Sequence, residues 1–375
     1  MIYYPCTAKK NRRQRHHSVR FMALVIPAHN EEMVIADTIN SAIAAGQPKR
    51  DIFVVSDGSV DATVPIAVHL LGRDNVLVKQ QGGKAKAILS AIGYFSITKR
   101  YTWLHIADAD GVFDTSYFAV LATKLDSTKY VAATGYISSL PGGWISKYRT
   151  YEYTLGLDVL RRVQDFFGVI PVIPGPTSMF RTDILDKLDF TVETLTEDMD
   201  ITLQIHRQKL GRIGYFPEAK TMTQDPKDFG DYVKQIRRWY RGNFQVMARH
   251  RVGLRPQKID AYLSYLMFEQ TILIGELLVL PALAVWTSNY PPLALLFLND
   301  LLIFLGVTMW VAGKQKRADV LGAFPLFYIL RFVNLYVFVV SWYEIVVRRR
   351  FQSASPGWST AGRRYRIATK ALQSI

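Results

Sequence analysis

Cysteine is almost absent: the 375 residues contain one, Cys6. A single thiol excludes disulfide staples and cysteine-ligated metal centres within one chain. Acidic residues are outnumbered, 31 Asp and Glu against 46 Lys and Arg, which leaves a formal net charge of +15. Such a balance points to nucleic acid, an anionic membrane surface or phosphorylated ligands. No zinc-finger spacing, RNA-recognition signature or basic zipper accompanies it, so no nucleic-acid partner is expected. Internal repeats and low-complexity tracts are also missing. The basic start (Lys9, Lys10, Arg12, Arg13, Arg15) is followed by no long apolar region; Val19 to Pro27 is too short and runs straight into the fold, so no secretory leader is expected.

Apolar and polar stretches are unevenly divided. The first 250 residues read as a soluble domain, whereas residues 261–347 are mostly apolar and aromatic. Four segments follow: a basic arm over 1–19, an α/β domain over 20–255, a membrane part over 256–350 and a basic tail over 351–375. Phe21 to Ile26 is a continuous apolar run ending at Pro27, as expected of a strand buried on both faces. Further strands are expected at 52–55, 76–78, 102–106, 130–136, 178–180 and 212–216, alternating with helical patterns. That alternation predicts a doubly wound parallel sheet, Rossmann-like, with ligands at the carboxyl ends of its strands.

The polar motifs fall at those ends. Asp57 lies in Ser-Asp-Gly-Ser (56–59) and Asp108 and Asp110 in Asp-Ala-Asp; Gly82-Gly83-Lys84 opens a helix. Two carboxylates two residues apart at a strand end can hold Mg²⁺ or Mn²⁺ in an oxygen shell. Farther on, Thr196-Glu197-Asp198 precedes an amphipathic run, so Thr196 can cap a helix whose first turn carries both acids. Gln235, Arg238 and Trp239 stand three and four residues apart and share one helical face. An amide, a guanidinium fork and an aromatic plate suit a diphosphate and a sugar ring. Taken singly, each motif has an ordinary explanation: a turn, an acidic loop, a helix start, a basic surface ending in an interfacial Trp. Their combination and order are far more specific.

That combination resembles the processive branch of the family 2 glycosyltransferases, which includes cellulose, hyaluronan, chitin-oligosaccharide and poly-N-acetylglucosamine synthases. The resemblance runs from about Leu24 to Trp239 and more loosely to Trp358. It implies the GT-A fold and a nucleotide-sugar donor, UDP-N-acetylglucosamine or UDP-glucose, used to extend a β-linked glycan with inversion. By resemblance Pro27, Ala28, Asn30, Glu31 and Asp57 hold the nucleoside. Lys84, Asp108, Gln235 and Arg238 face the nucleotide, and Asp110, with Asp108, holds Mg²⁺ or Mn²⁺. Asp198 is the base, with Glu197 beside it, and Gly175, Pro176 and Trp239 form the acceptor site. The rival enzyme reading is a single transfer to a lipid acceptor, a glycolipid or a polyprenyl phosphate. A non-catalytic membrane scaffold is a third reading, opposed by the intact Asp57, Asp110, Asp198 and Trp239.

Three stretches are long enough to meet a bilayer: Ala261 to Trp286, interrupted by Glu269 and Glu276 and read as a span or an interfacial helix; and, as spans, Pro292 to Gly313, containing Asn299 and Asp300, and Val320 to Val347, containing Pro325 and Arg331. A multi-pass integral membrane protein with a cytosolic catalytic domain is expected. Two or three spans offer little channel, so export of a long product would need a homo-oligomer or a partner. The charges pose a problem: Lys314, Lys316 and Arg317 and the tail's Arg348 to Arg350 all favour the cytosolic side. One span between them cannot satisfy both clusters: either 320–347 is a hairpin broken at Pro325, or the short loop is tolerated outside, and a cytosolic tail is the expectation.

Overall fold

The computed structural model describes residues 20–191 and 194–349; the expectations for the arm and for the tail from residue 350 onward lie outside the described residues. The chain opens with β1 (Arg20–Ala28), α1 (Ile35–Ala44), β2 (Ile52–Asp57), α2 (Thr63–Leu71), β3 (Val76–Lys79), α3 (Lys84–Tyr94), the single turn α4 (Ile97–Arg100) and β4 (Tyr101–Ile106). It continues through β5 (Val112–Phe113), α5 (Tyr117–Lys124), β6 (Tyr130–Ser139), α6 (Trp144–Thr154), α7 (Arg161–Phe167), β7 (Ser178–Arg181), α8 (Glu197–Gln208), β8 (Arg212–Thr223) and α9 (Phe229–Arg249). Three long apolar helices follow: α10 (Lys258–Thr287), α11 (Pro291–Lys314) and α12 (Phe324–Trp342).

The strands form one sheet in the order β3-β2-β1-β4-β7-β6-β8-β5. The pleat sends alternate side chains to opposite faces. Ala23, Val25, Phe53, Val55, Leu104 and Ile106 pack on one side with α3 and α8. Leu24, Ile26, Ile52, Val54 and Trp103 pack on the other with α1, α2 and α5. Burial on both faces explains the unbroken apolar run of β1, in which Met22 to Ala28 are all buried.

The α/β class is as the sequence reads, but the sheet is mixed. β1 to β4 are mutually parallel, and β6 runs parallel to β8. β7 is antiparallel to both β4 and β6, and β5 is antiparallel to β8. β7 follows α6 and α7, and the short 3₁₀ turn at Gly175–Thr177 leads directly into it.

The helices α10, α11 and the segment Ala318–Val347 are each long and apolar enough to cross a membrane. No hairpin forms around Pro325. That proline sits in the first turn of α12, where a missing N–H breaks no helical bond. A 3₁₀ segment at Ala318–Ala323 precedes it.

Candidate active site

The loops after β1 and β2 are knitted together. Asn30 takes a left-handed backbone conformation. Its N–H donates to the Ser59 hydroxyl (3.1 Å), and its side-chain oxygen accepts from the Val60 N–H (2.9 Å). The Glu31 N–H donates to Thr63 (2.8 Å). Asp57 is fully buried; its carboxylate accepts from Lys79 (2.6 Å) and from the N–H groups of Gly82 (2.9 Å) and Gly83 (2.7 Å). Its visible work is to fix the loop that launches α3.

Beyond this seam lies a cavity of about 350 Å³. Lys84, Asp108, Asp110, Gly175, Pro176, Glu197, Asp198, Gln235, Arg238 and Trp239 all line it, brought from five separate parts of the chain. Pro27, Ala28, Asn30, Glu31 and Asp57 do not line it.

Lys84 is the hub. Its ammonium lies 2.6 Å from Asp108 and 3.7 Å from Glu197. Burial opposes its charge, but these carboxylates and Asp198 outweigh that and hold its pKa above the ordinary lysine value. Gly175 is required by this pair: a Cβ there would stand 2.8 Å from the Lys84 nitrogen and 3.1 Å from the Asp108 oxygens.

Asp198 is pushed up to about 6, first by burial and then by the charge of Glu197, with Lys84, the Met199 N–H and Arg238 pulling the other way. The acid pair sits at the start of α8, as the sequence predicts. Thr196, however, makes no side-chain capping bond. Its hydroxyl and methyl are turned against Gly242 of α9, where a Cβ would approach to 2.5 Å. Arg238 donates to the Leu195 carbonyl (3.1 Å), and the Leu195 N–H donates to Gln245 (3.2 Å). The helix carrying Arg238 and Trp239 therefore holds the turn that presents Asp198.

Arg149, on α6, escapes the sequence reading. It is buried, donates to Gln235 (2.5 Å) and Glu152 (2.7 Å), and lies 4.7 Å from the Trp239 ring centroid. Nothing local marks it as a site residue, because its partners on α9, Gln235 and Trp239, lie 86 or more residues away. Tyr153, Gln224 and Asn243 also line the cavity unannounced. Asp225, next to Gln224, is pushed up to about 7 by burial, against the pull of Arg149.

Among the described residues, no group of three or more His, Cys, Asp or Glu side chains could hold a metal ion. Asp108 and Asp110 nevertheless offer hard oxygen donors to one cavity, the donor type that Mg²⁺ and Mn²⁺ take. A cation there would have to share its shell with ligand oxygens.

The profile of the glycosyltransferase-like family 2 matches residues 20–242, from β1 into α9, which takes in Lys84, Asp108, Asp110, Asp198, Arg238 and Trp239. The chain belongs to this family. Poly-β-1,6-N-acetyl-D-glucosamine synthase of Staphylococcus epidermidis is 27% identical over 269 residues, covering 69% of this chain and 63% of that protein. The synthase of the same name from Staphylococcus aureus (strain COL) is 27% identical over 265 residues, covering 68% and 61%. The match thus spans less than two thirds of these relatives' length. Among solved structures, a mannosyltransferase from Pyrobaculum calidifontis, in complex with GDP-Man and Mn²⁺, superposes with a TM-score of 0.54 at 17% identity. The match covers 82% of this chain and 87% of that one, and it shows a shared glycosyltransferase fold.

Proposed function

We propose that this family 2 glycosyltransferase transfers a sugar from a nucleoside diphosphate donor to the end of a β-linked glycan at a membrane. N-acetylglucosamine is the first choice of sugar, supported by the staphylococcal relatives, and UDP-glucose is the second donor. The observation that carries the reading is one cavity with a carboxylate of raised pKa, Asp198, on one wall and Arg238, Trp239 and Lys84 around it.

Asp198 takes the proton of the acceptor hydroxyl. The freed oxygen attacks the anomeric carbon in line, the bond from that carbon to the diphosphate oxygen breaks, and the nucleoside diphosphate leaves. A single displacement inverts the centre, so an α-linked donor gives a β-linked product. Lys84 and Arg238 supply positive charge to the diphosphate. Mg²⁺ or Mn²⁺, held by Asp110 with Asp108 behind it, would neutralise the leaving group. Trp239 forms the floor under the acceptor sugar, beside Gly175 and Pro176. Pro27 to Glu31 and Asp57 shape the nucleoside end. The catalytic domain faces the cytosol, where nucleotide sugars are made, and long-chain export requires an oligomer or a partner.

The test is a donor screen on purified protein with mass analysis and sizing of the product. Products lengthening by N-acetylglucosamine units are expected. A product with one added sugar on a lipid, under excess donor, would move the assignment to single transfer.

A further inference from the structure

α12 is apolar enough to cross a bilayer, yet both its ends are fastened to the catalytic domain. Leading into it, Gln315 and Arg317 donate to Thr154 and Thr150 of α6 (3.0 Å each), and Asp319 lies 4.0 Å from Lys147. Just past its far end, Glu344 pairs with Arg237 and Arg241 of α9. Midway, Asn334 donates to Tyr148 (3.0 Å) and accepts from Tyr232 (2.7 Å). These partners are not remote from the chemistry. Tyr153, on α6, and Arg238 and Trp239, beside Arg237, line the active cavity. An aqueous nucleotide site cannot straddle a bilayer, so both ends of α12 lie on its side of the membrane.

The helix, with the helical turn Tyr343–Val347 that continues it, also has two faces. Phe327, Leu330, Val337, Ser341 and Ile345 are buried against the body. Ile329, Phe332, Tyr336, Val339, Tyr343 and Val346 follow one another at steps of three and four and are 39% to 69% exposed. That is one continuous apolar and aromatic stripe. We propose that α12 lies along the membrane surface as a strap between lipid and catalytic domain, crosses nothing, and leaves residue 348 on the catalytic side. The lipid is the stripe's occupant, because the neighbouring helices lead into it. α10 begins at the buried Arg207–Asp260 pair, and α11 ends where Lys314 meets Asp158 (3.1 Å), so this hairpin leaves the domain and returns to it. Arg331 of α12 pairs with Asp300 of α11 (2.7 Å), tying the strap to the hairpin. Lys316, Arg317, Arg348 and Arg349 then all face one side, which removes the conflict between the two basic clusters. An exposed apolar and aromatic stripe can settle at the boundary between headgroups and acyl chains; here the opposite face, also apolar, is covered by the catalytic body instead of by water.

This rests on membrane association and not on the sugar chemistry, so the test needs no turnover. Single cysteines are placed in a full-length Cys6→Ser chain in closed vesicles. Tyr94→Cys, Lys316→Cys and Arg348→Cys should react with an impermeant maleimide from the same side. A fluorophore on Tyr336→Cys should be quenched by spin-labelled lipid and shielded from iodide. Labelling of Arg348→Cys from the side opposite Tyr94→Cys overturns the proposal, as does iodide quenching at Tyr336→Cys equal to that at Tyr94→Cys. If Leu295→Cys on α11 also escapes lipid quenching, the membrane reading itself has failed, a result distinct from a crossing α12.

Discussion

Asp198 is held in a conflict that the role proposed for it, the catalytic base, would explain. Burial and Glu197 disfavour its charge, while Lys84 and Arg238 favour it, and the balance lies near 6. A base works best with a pKa close to the working pH. For an acid, a folded-state pKa raised above the unfolded value of about 3.9 means that ionisation opposes folding. The cost is fully present above about 6, shrinks as the pH falls below that value, and is gone only near the unfolded value of about 3.9. Catalysis runs the opposite way, since only the ionised form accepts the proton. kcat/KM should therefore fall about tenfold per pH unit below about 6. A flat profile down to about pH 4, the ordinary carboxylate value, would remove Asp198 from the role. Asp198→Asn should lose about 10²–10⁴ in rate with donor affinity nearly intact, and its thermal midpoint at neutral pH should be no lower than that of the parent. Asp110→Ala should abolish the gain in UDP affinity that Mn²⁺ confers, read by calorimetry with and without the cation. An unchanged gain would mean that the cation sits elsewhere.

Among the elements, α9 is the ruler of the site. It contributes Gln235, Arg238 and Trp239 to the cavity and grips the turn before Asp198 through Leu195 and Thr196. Gly242→Ala places a Cβ 2.5 Å from the Thr196 methyl, far inside contact distance. Turnover should drop while donor affinity stays, and Thr196→Ala in the same chain should restore part of the loss. A wild-type rate in Gly242→Ala would show that the turn yields freely. Arg149→Lys keeps the charge and loses the planar contact with Trp239. A cation–π contact of about 1–2 kcal/mol corresponds to a rise in acceptor KM of about tenfold, with donor affinity unmoved. The motifs were legible because each is local: a strand end, a helix start, one helical face. Arg149 and Gly242 were not, because their meaning exists only where α6 and the turn at 194–196 meet α9. The antiparallel β7 was hidden for a related reason, since four residues carry no sign of their direction. The Thr196 cap was wrongly expected because the pull of Gly242 comes from another helix.

At the scale of the whole molecule, three apolar helices and a catalytic body share one polar seam. Alkaline carbonate should leave the protein in the membrane pellet, held by the α10–α11 hairpin; extraction without detergent would reduce it to a surface-bound protein. The seam has a further consequence. Asn334 of α12 reaches Tyr148 (3.0 Å) and Glu152 (3.4 Å), Glu152 holds Arg149, and Arg149 faces Trp239. On the proposed reading, three side chains, Asn334, Glu152 and Arg149, stand between the lipid-facing helix and the acceptor floor at Trp239. A detergent that competes for the outer face of α12 lifts the first link of that chain and slackens the last. Product length then becomes a gauge of the surroundings, so an enzyme that stalls after a few sugars in micelles and elongates in vesicles would be reporting on its bilayer rather than on its substrate.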